Sequence, residues 1–215
     1  MPAGPRPRRL PARPTRRALA VEDAVRTAGD LVAAGRRVDL ALDGAVSDAL
    51  WEELTGRLDA AGVAGSCEVT VPVPGRVPPA GPALALVGPA DAVDRAAAVL
   101  PEARVVVGAA EAGAEERCRR LAGRRVRLTP GRGRAADLAF ARCLAVLMAG
   151  SGMPAVATTD PRLIAVTGER AAWNGRPPES WEYVMPWGAP TEEQHRLLAA
   201  GSTVRVQVPV TGGRA

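Results

Sequence analysis

Eight short runs rich in Val, Ala and Leu recur along this chain, most of them separated by amphipathic stretches of helical length, and no other feature constrains the fold as much. The spacing predicts helices over residues 20–34, 48–61, 91–100, 115–121, 135–149, 163–173 and 191–200, the last with Thr191 as N-cap. It predicts strands over residues 37–42, 67–73, 83–87, 104–108, 125–129, 154–158, 181–185 and 204–208. Several of these strands are apolar almost throughout, as expected of a parallel sheet covered on both faces. Eight such repeats predict an α/β chain folded as a (β/α)8 TIM barrel. The short connection between Val73 and Ala83 leaves a doubly wound open parallel sheet as the alternative.

A length of 215 residues suits one domain with a sizeable core, which Ala, Val and Leu must build because Tyr and Phe each occur once. All 28 basic residues are arginine, so lysine Schiff-base and lysine acid–base chemistry are excluded. Six of them, Arg6, Arg8, Arg9, Arg13, Arg16 and Arg17, precede the first acid, Glu22. Without these six the chain holds 22 arginines against 23 acids, so the excess charge belongs to the Pro/Arg-rich stretch. Residues 1–18 are therefore expected to form a disordered basic tail and residues 19–215 the folded domain. Such a tail offers contact with nucleic acid or an anionic membrane. Cys67, Cys118 and Cys143 lie far apart, and His195 is the only histidine, so no metal-ligand spacing exists. The thiols, the lack of a secretory h-region and the lack of a long apolar run predict a cytoplasmic protein.

One segment carries more than a pattern. From Ala141 the chain runs Ala-Arg-Cys-Leu-Ala-Val-Leu-Met-Ala-Gly-Ser-Gly-Met-Pro-Ala-Val-Ala-Thr-Thr-Asp-Pro-Arg-Leu, a helix, a glycine turn and a strand ending in a polar cluster. It resembles a signature stretch of the bacterial proline dehydrogenases, where the strand ends Ala-Thr-His-Asp-Pro-Arg. A second stretch, Arg-Pro-Pro-Glu-Ser-Trp-Glu-Tyr-Val-Met-Pro-Trp-Gly from Arg176, is similar to the family's seventh strand. The resemblance implies a TIM barrel with FAD at the carboxyl ends of the strands and oxidation of L-proline to pyrroline-5-carboxylate. It also implies that the helix before strand one covers the barrel side where an eighth helix normally packs. The last helix, which lies across the mouth and carries an arginine pair for the substrate carboxylate, is expected to be lacking, Arg214 being a lone arginine.

Carried over position by position, the resemblance makes Arg127, Thr158 and Glu182 the surviving cofactor-binding candidates, with Arg127 and Glu182 as the surviving catalytic-site positions. Elsewhere the family's residues are replaced: histidine by Thr159, lysines by Thr70 and Pro130, aspartate by Leu86 and glutamine by Gly108. Arg127 at a strand end suits the charge that grows on a reduced flavin; the structural alternative is an Arg127–Glu182 pair inside the barrel mouth. Gly131-Arg132-Gly133-Arg134 before a helix offers a weak phosphate signal against a plain connecting loop. Three readings follow. The chain is a pseudoenzyme of the proline dehydrogenase type, acting through a protein partner; or a flavoprotein with altered chemistry on proline or a related small molecule; or a nucleic-acid or membrane binder acting through residues 1–18.

Overall fold

The computed structural model describes residues 17–75, 77–78 and 81–211. Most of the basic stretch and Arg214 lie outside them. Eight strands are present: β1 (Arg37–Asp43), β2 (Cys67–Pro72), β3 (Ala83–Val87), β4 (Arg104–Gly108), β5 (Arg125–Thr129), β6 (Met153–Ala157), β7 (Glu182–Pro186) and β8 (Val204–Thr211). Among the described residues seven α-helices accompany them: α1 (Val21–Ala33), α2 (Asp48–Ala60), α3 (Ala90–Val99), α4 (Ala114–Leu121), α5 (Arg134–Ala149), α6 (Pro161–Trp173) and α7 (Thr191–Ala199). Each strand pairs in parallel with its neighbour in sequence, and β8 returns to β1 from Arg37↔Arg205 to Asp43↔Thr211. The sheet is thus a closed barrel, and the open-sheet alternative is excluded.

Local chemistry explains the boundaries. Gly35, at φ 77, ends α1 in a left-handed turn in which Arg36 N–H returns to the Leu31 carbonyl at 3.0 Å. Ser47 caps α2 by accepting from Leu50 N–H, and Asp160 caps α6 by accepting from Arg162 N–H, with Pro161 at the first helical position. At α7 Thr191 is not the cap. The helix begins at residue 191, as the spacing predicts, but Pro190 takes the cap position and Thr191 is the first helical residue.

No helix separates β2 from β3 among the described residues, as the short connection requires; there Trp51 of α2 leans against the backbone of Gly81. The side between β8 and β1 is covered by α1, which buries Val21, Ala24, Val25 and Ala28. Leu19, just before α1, is bonded to the carboxyl end of β8 through Leu19 N–H to the Pro209 carbonyl and Thr211 N–H to the Leu19 carbonyl. This helix therefore fills the eighth helical place from the amino-terminal side of the chain.

Strand side chains alternate between the helices and the bore. Leu40, Val69, Leu86, Val105, Leu128, Val156, Met185 and Val206 point outward and are buried against the helices. The register stacks the inward residues in layers of four drawn from alternate strands. From the amino-terminal end these are Arg37, Ala83, Arg125 and Glu182; then Glu68, Arg104, Ala155 and Arg205; then Asp39, Ala85, Arg127 and Val184; then Thr70, Val106, Ala157 and Gln207. The apolar core thus lies between sheet and helices, while the lower bore is ionic.

Candidate functional site

The ionic bore is built from single charged residues set at alternate positions of strands that are otherwise apolar. Arg127 donates to Asp39 Oδ2 at 2.8 Å, to Glu68 Oε1 at 2.5 Å and to the Thr70 hydroxyl at 3.1 Å. Thr70 in turn donates to Asp39 Oδ1 at 2.6 Å, and the Gln207 amide donates to Asp39 Oδ2 at 2.7 Å. Arg104 bridges Glu68 and Glu182, at 2.9 and 2.6 Å. Arg205 donates to both carboxylate oxygens of Glu182 and to the Val38 carbonyl. The side chains of Asp39, Glu68, Arg104 and Glu182 are wholly withdrawn from solvent.

Charges so deep are held only by their partners. Burial pushes the Glu68 carboxyl up, but the Arg104, Arg205 and Arg127 charges outweigh it and lower the pKa to about 2. Burial likewise opposes ionisation of Glu182, and Arg104 and Arg205 again win. Burial disfavours the Arg127 charge, yet Asp39 and Glu68 raise its pKa. Glu68 and Glu182 are therefore fixed carboxylates at neutral pH, and neither serves as a general acid or base there.

Arg127 and Glu182 do not touch. The expected direct pair is replaced by a chain of contacts, Arg127–Glu68–Arg104–Glu182, because Glu182 lies in the lowest layer and Arg127 two layers above it. Thr158 lies apart from both, at the carboxyl end of β6, where its hydroxyl accepts from Asp160 N–H at 3.0 Å. Of the replaced positions, Thr70 belongs to the network. Leu86 faces the helices, since the register gives the inward places on β3 to Ala83, Ala85 and Val87. Gly108 donates its N–H to Glu111, whose carboxylate folds so close that a Cβ would meet it at 2.6 Å.

At the carboxyl end of the barrel, between the starts of α6 and α7, Thr159 lines an open cavity of about 420 Å³ with Met185, Pro190, Glu193 and Arg196. Gly131 is packed against Ala110 and Ala136, while Arg132 and Arg134 are exposed at the start of α5. His195 is exposed on α7. Among the described residues no group of His, Cys, Asp and Glu is arranged to hold a metal ion, and no helix is long and apolar enough to cross a membrane.

Sequence reasoning missed Asp39, Glu68, Arg104 and Arg205. The signal was present: a charged residue within an apolar strand, repeated every second position in Arg37-Val-Asp39 and Arg125-Val-Arg127.

No protein-family model and no curated protein matches this chain. Solved structures do resemble it. Proline utilization A from Bdellovibrio bacteriovorus, inactivated by N-propargylglycine, superposes with a TM-score of 0.74 at 13% identity, over 91% of this chain and 30% of that one. A single-substitution mutant of proline utilization A from Bradyrhizobium japonicum gives 0.63 at 14% identity, over 89% and 28%, and a bifunctional proline utilization A gives 0.64 at the same identity and coverage. The chain thus spans less than a third of the length of each of these proteins, and at such identities what it shares with them is the barrel fold.

Proposed function

We propose that this protein is a proline dehydrogenase-like barrel that does not itself oxidise proline and acts as a non-catalytic, partner-binding or regulatory protein. One observation carries the reading: Arg127 and Glu182, two of the three residues that the family resemblance assigns to FAD, are consumed by the buried ion-pair network. A flavin needs donors free to meet it at the carboxyl ends of the strands. Both terminal nitrogens of Arg127 are engaged by Asp39, Glu68 and Thr70, and Glu182 lies at the opposite end of the bore. The donor set as it stands does not fit the cofactor. Thr159, Thr70, Gly108 and Pro130 offer no base, no lysine and no amide in place of the family's residues. Groups of this kind act as a unit, so one survivor does not retain a share of the activity.

A second reading, a flavoprotein with altered chemistry, is favoured by a different observation. Arg127 Nε is buried and has no hydrogen-bond partner, an orphan donor within the bore. One experiment separates the two. The purified chain is incubated with FAD, desalted and examined by visible absorption, then mixed with proline. Absence of retained flavin is the expected result. Stoichiometric flavin without reduction by proline favours the second reading, and flavin bleached by proline overturns the proposal.

A further inference from the structure

The charges in the bore do not balance. Asp39, Glu68 and Glu182 are matched by Arg104, Arg127 and Arg205, and Arg37 and Arg125 are then added to the same network. Both extra arginines point inward in the lowest layer, which they share with the short Ala83 and with Glu182. Their side chains are 41% and 25% exposed, so they form the part of the network that solvent and solutes reach. Neither has a carboxylate to itself. Arg37 approaches Glu182 only at 3.5 Å, and Arg125 shares Glu68 with Arg104 and Arg127 while spending a second donor on the Glu102 carbonyl.

The surroundings add positive charge. Two cavities, of about 310 and 430 Å³, open onto Arg125, while Arg37 reaches the same layer from β1 and lines neither. The larger is also lined by Arg124 and Arg176, which donate to carbonyl oxygens and to Ser180. Glu102 is the one acid among the described lining residues of either cavity. Burial and then repulsion from Arg104 and Arg205 lower the pKa of Arg125, the direction expected of an under-compensated cation.

We propose that the amino-terminal end of the barrel binds a phosphate- or sulfate-type oxyanion, held by Arg125 and Arg37 over the floor of the bore. A doubly charged tetrahedral anion neutralises the two surplus guanidinium groups and takes charge-assisted hydrogen bonds from them. The site is at the opposite end from the mouth where the strands terminate, and it stands whether or not a flavin binds there.

The test is thermal unfolding and isothermal titration of the intact protein with inorganic phosphate, and separately with sodium sulfate, against sodium chloride at equal ionic strength. Saturable stabilisation by either oxyanion but not by chloride is expected. Arg125→Gln should weaken it at least about tenfold, the equivalent of one charge-assisted contact. Arg37→Gln, at a half-exposed position, should weaken it in the same direction and serves if Arg125→Gln does not fold by circular dichroism. Arg26→Gln, on the exposed face of α1, should leave it unchanged. Equal stabilisation by chloride, no saturable binding, or undiminished binding in a folded Arg125→Gln or Arg37→Gln variant overturns the proposal.

Discussion

Glu68 meets three cations in the bore: Arg104, Arg125 and Arg127 all reach it from within 3 Å. Glu68→Gln keeps the shape and removes the charge, leaving three guanidinium groups to share what remains. Breaking one member of a buried ion pair costs about 3–5 kcal/mol, and a loss of that size is expected in urea titration. Arg26→Ala, which breaks an exposed pair with Asp23, should stay within about 0.5 kcal/mol of the parent. The same carboxylates predict an acid transition. The folded-state pKa of Glu68 lies below its ordinary 4.5, so its contribution to stability is full above about 4.5 and is lost as pH falls toward about 2. Glu182 shifts in the same direction. Stability measured against pH should therefore fall steeply across that window, and Glu68→Gln should flatten the fall. A profile in the variant as steep as the parent's would contradict the assignment. At this scale the sequence was only partly legible. Arg127 and Glu182 stand out through family resemblance, but Asp39, Glu68, Arg104 and Arg205 meet their ion-pair partners 23 to 88 residues away in the chain, and no local pattern encodes which acid meets which arginine.

Secondary structure was far more legible. The strands over residues 83–87, 104–108 and 125–129 match the predicted bounds, and the other elements shift by one to three residues at an end. Glycine and proline mark most of the stops, and alternation of apolar residues marks the runs between them. The Gly150-Ser151-Gly152 turn between α5 and β6 shows what such punctuation does. A Cβ on Gly152 would meet the Arg124 carbonyl oxygen at 2.1 Å, and one on Gly150 would meet that of Ala122 at 2.3 Å. The turn passes against the backbone that leads into β5, and only glycine permits the approach. Gly152→Ala is expected to cost about 1–3 kcal/mol, the usual penalty for overpacking a close contact, read as a lower denaturation midpoint at unchanged m-value. A neutral result would show that the turn moves aside freely. Thr191 failed as a cap prediction because a hydroxyl before a helical run signals a terminus only to within a residue, and Pro190, at φ −52 and ψ 118, occupies the cap.

For the molecule as a whole, α1 closes the wall between the last strand and the first. Its buried face covers the outward side of β8 and β1, including Val206, Val208, Val38 and Leu40. Removing residues 1–33 strips that cover and should abolish cooperative thermal unfolding in calorimetry, with dye-binding hydrophobic surface exposed. A truncated chain that melts cooperatively near the parent temperature would show that α1 is dispensable. By itself the sequence determined the order of elements, the apolar faces of the helices and the identity of the charged side chains, because each rests on residues near one another in the chain. Closure was not among these. A doubly wound open sheet and a barrel share the same local alternation, and they differ in strand order and in whether β1 and β8 pair across more than 160 residues. Tertiary structure decided that, and with it the fate of Arg127 and Glu182. Closing the sheet brings their strands around one narrow, water-poor bore, where opposite charges must pair, and there the two residues become parts of one ionic network.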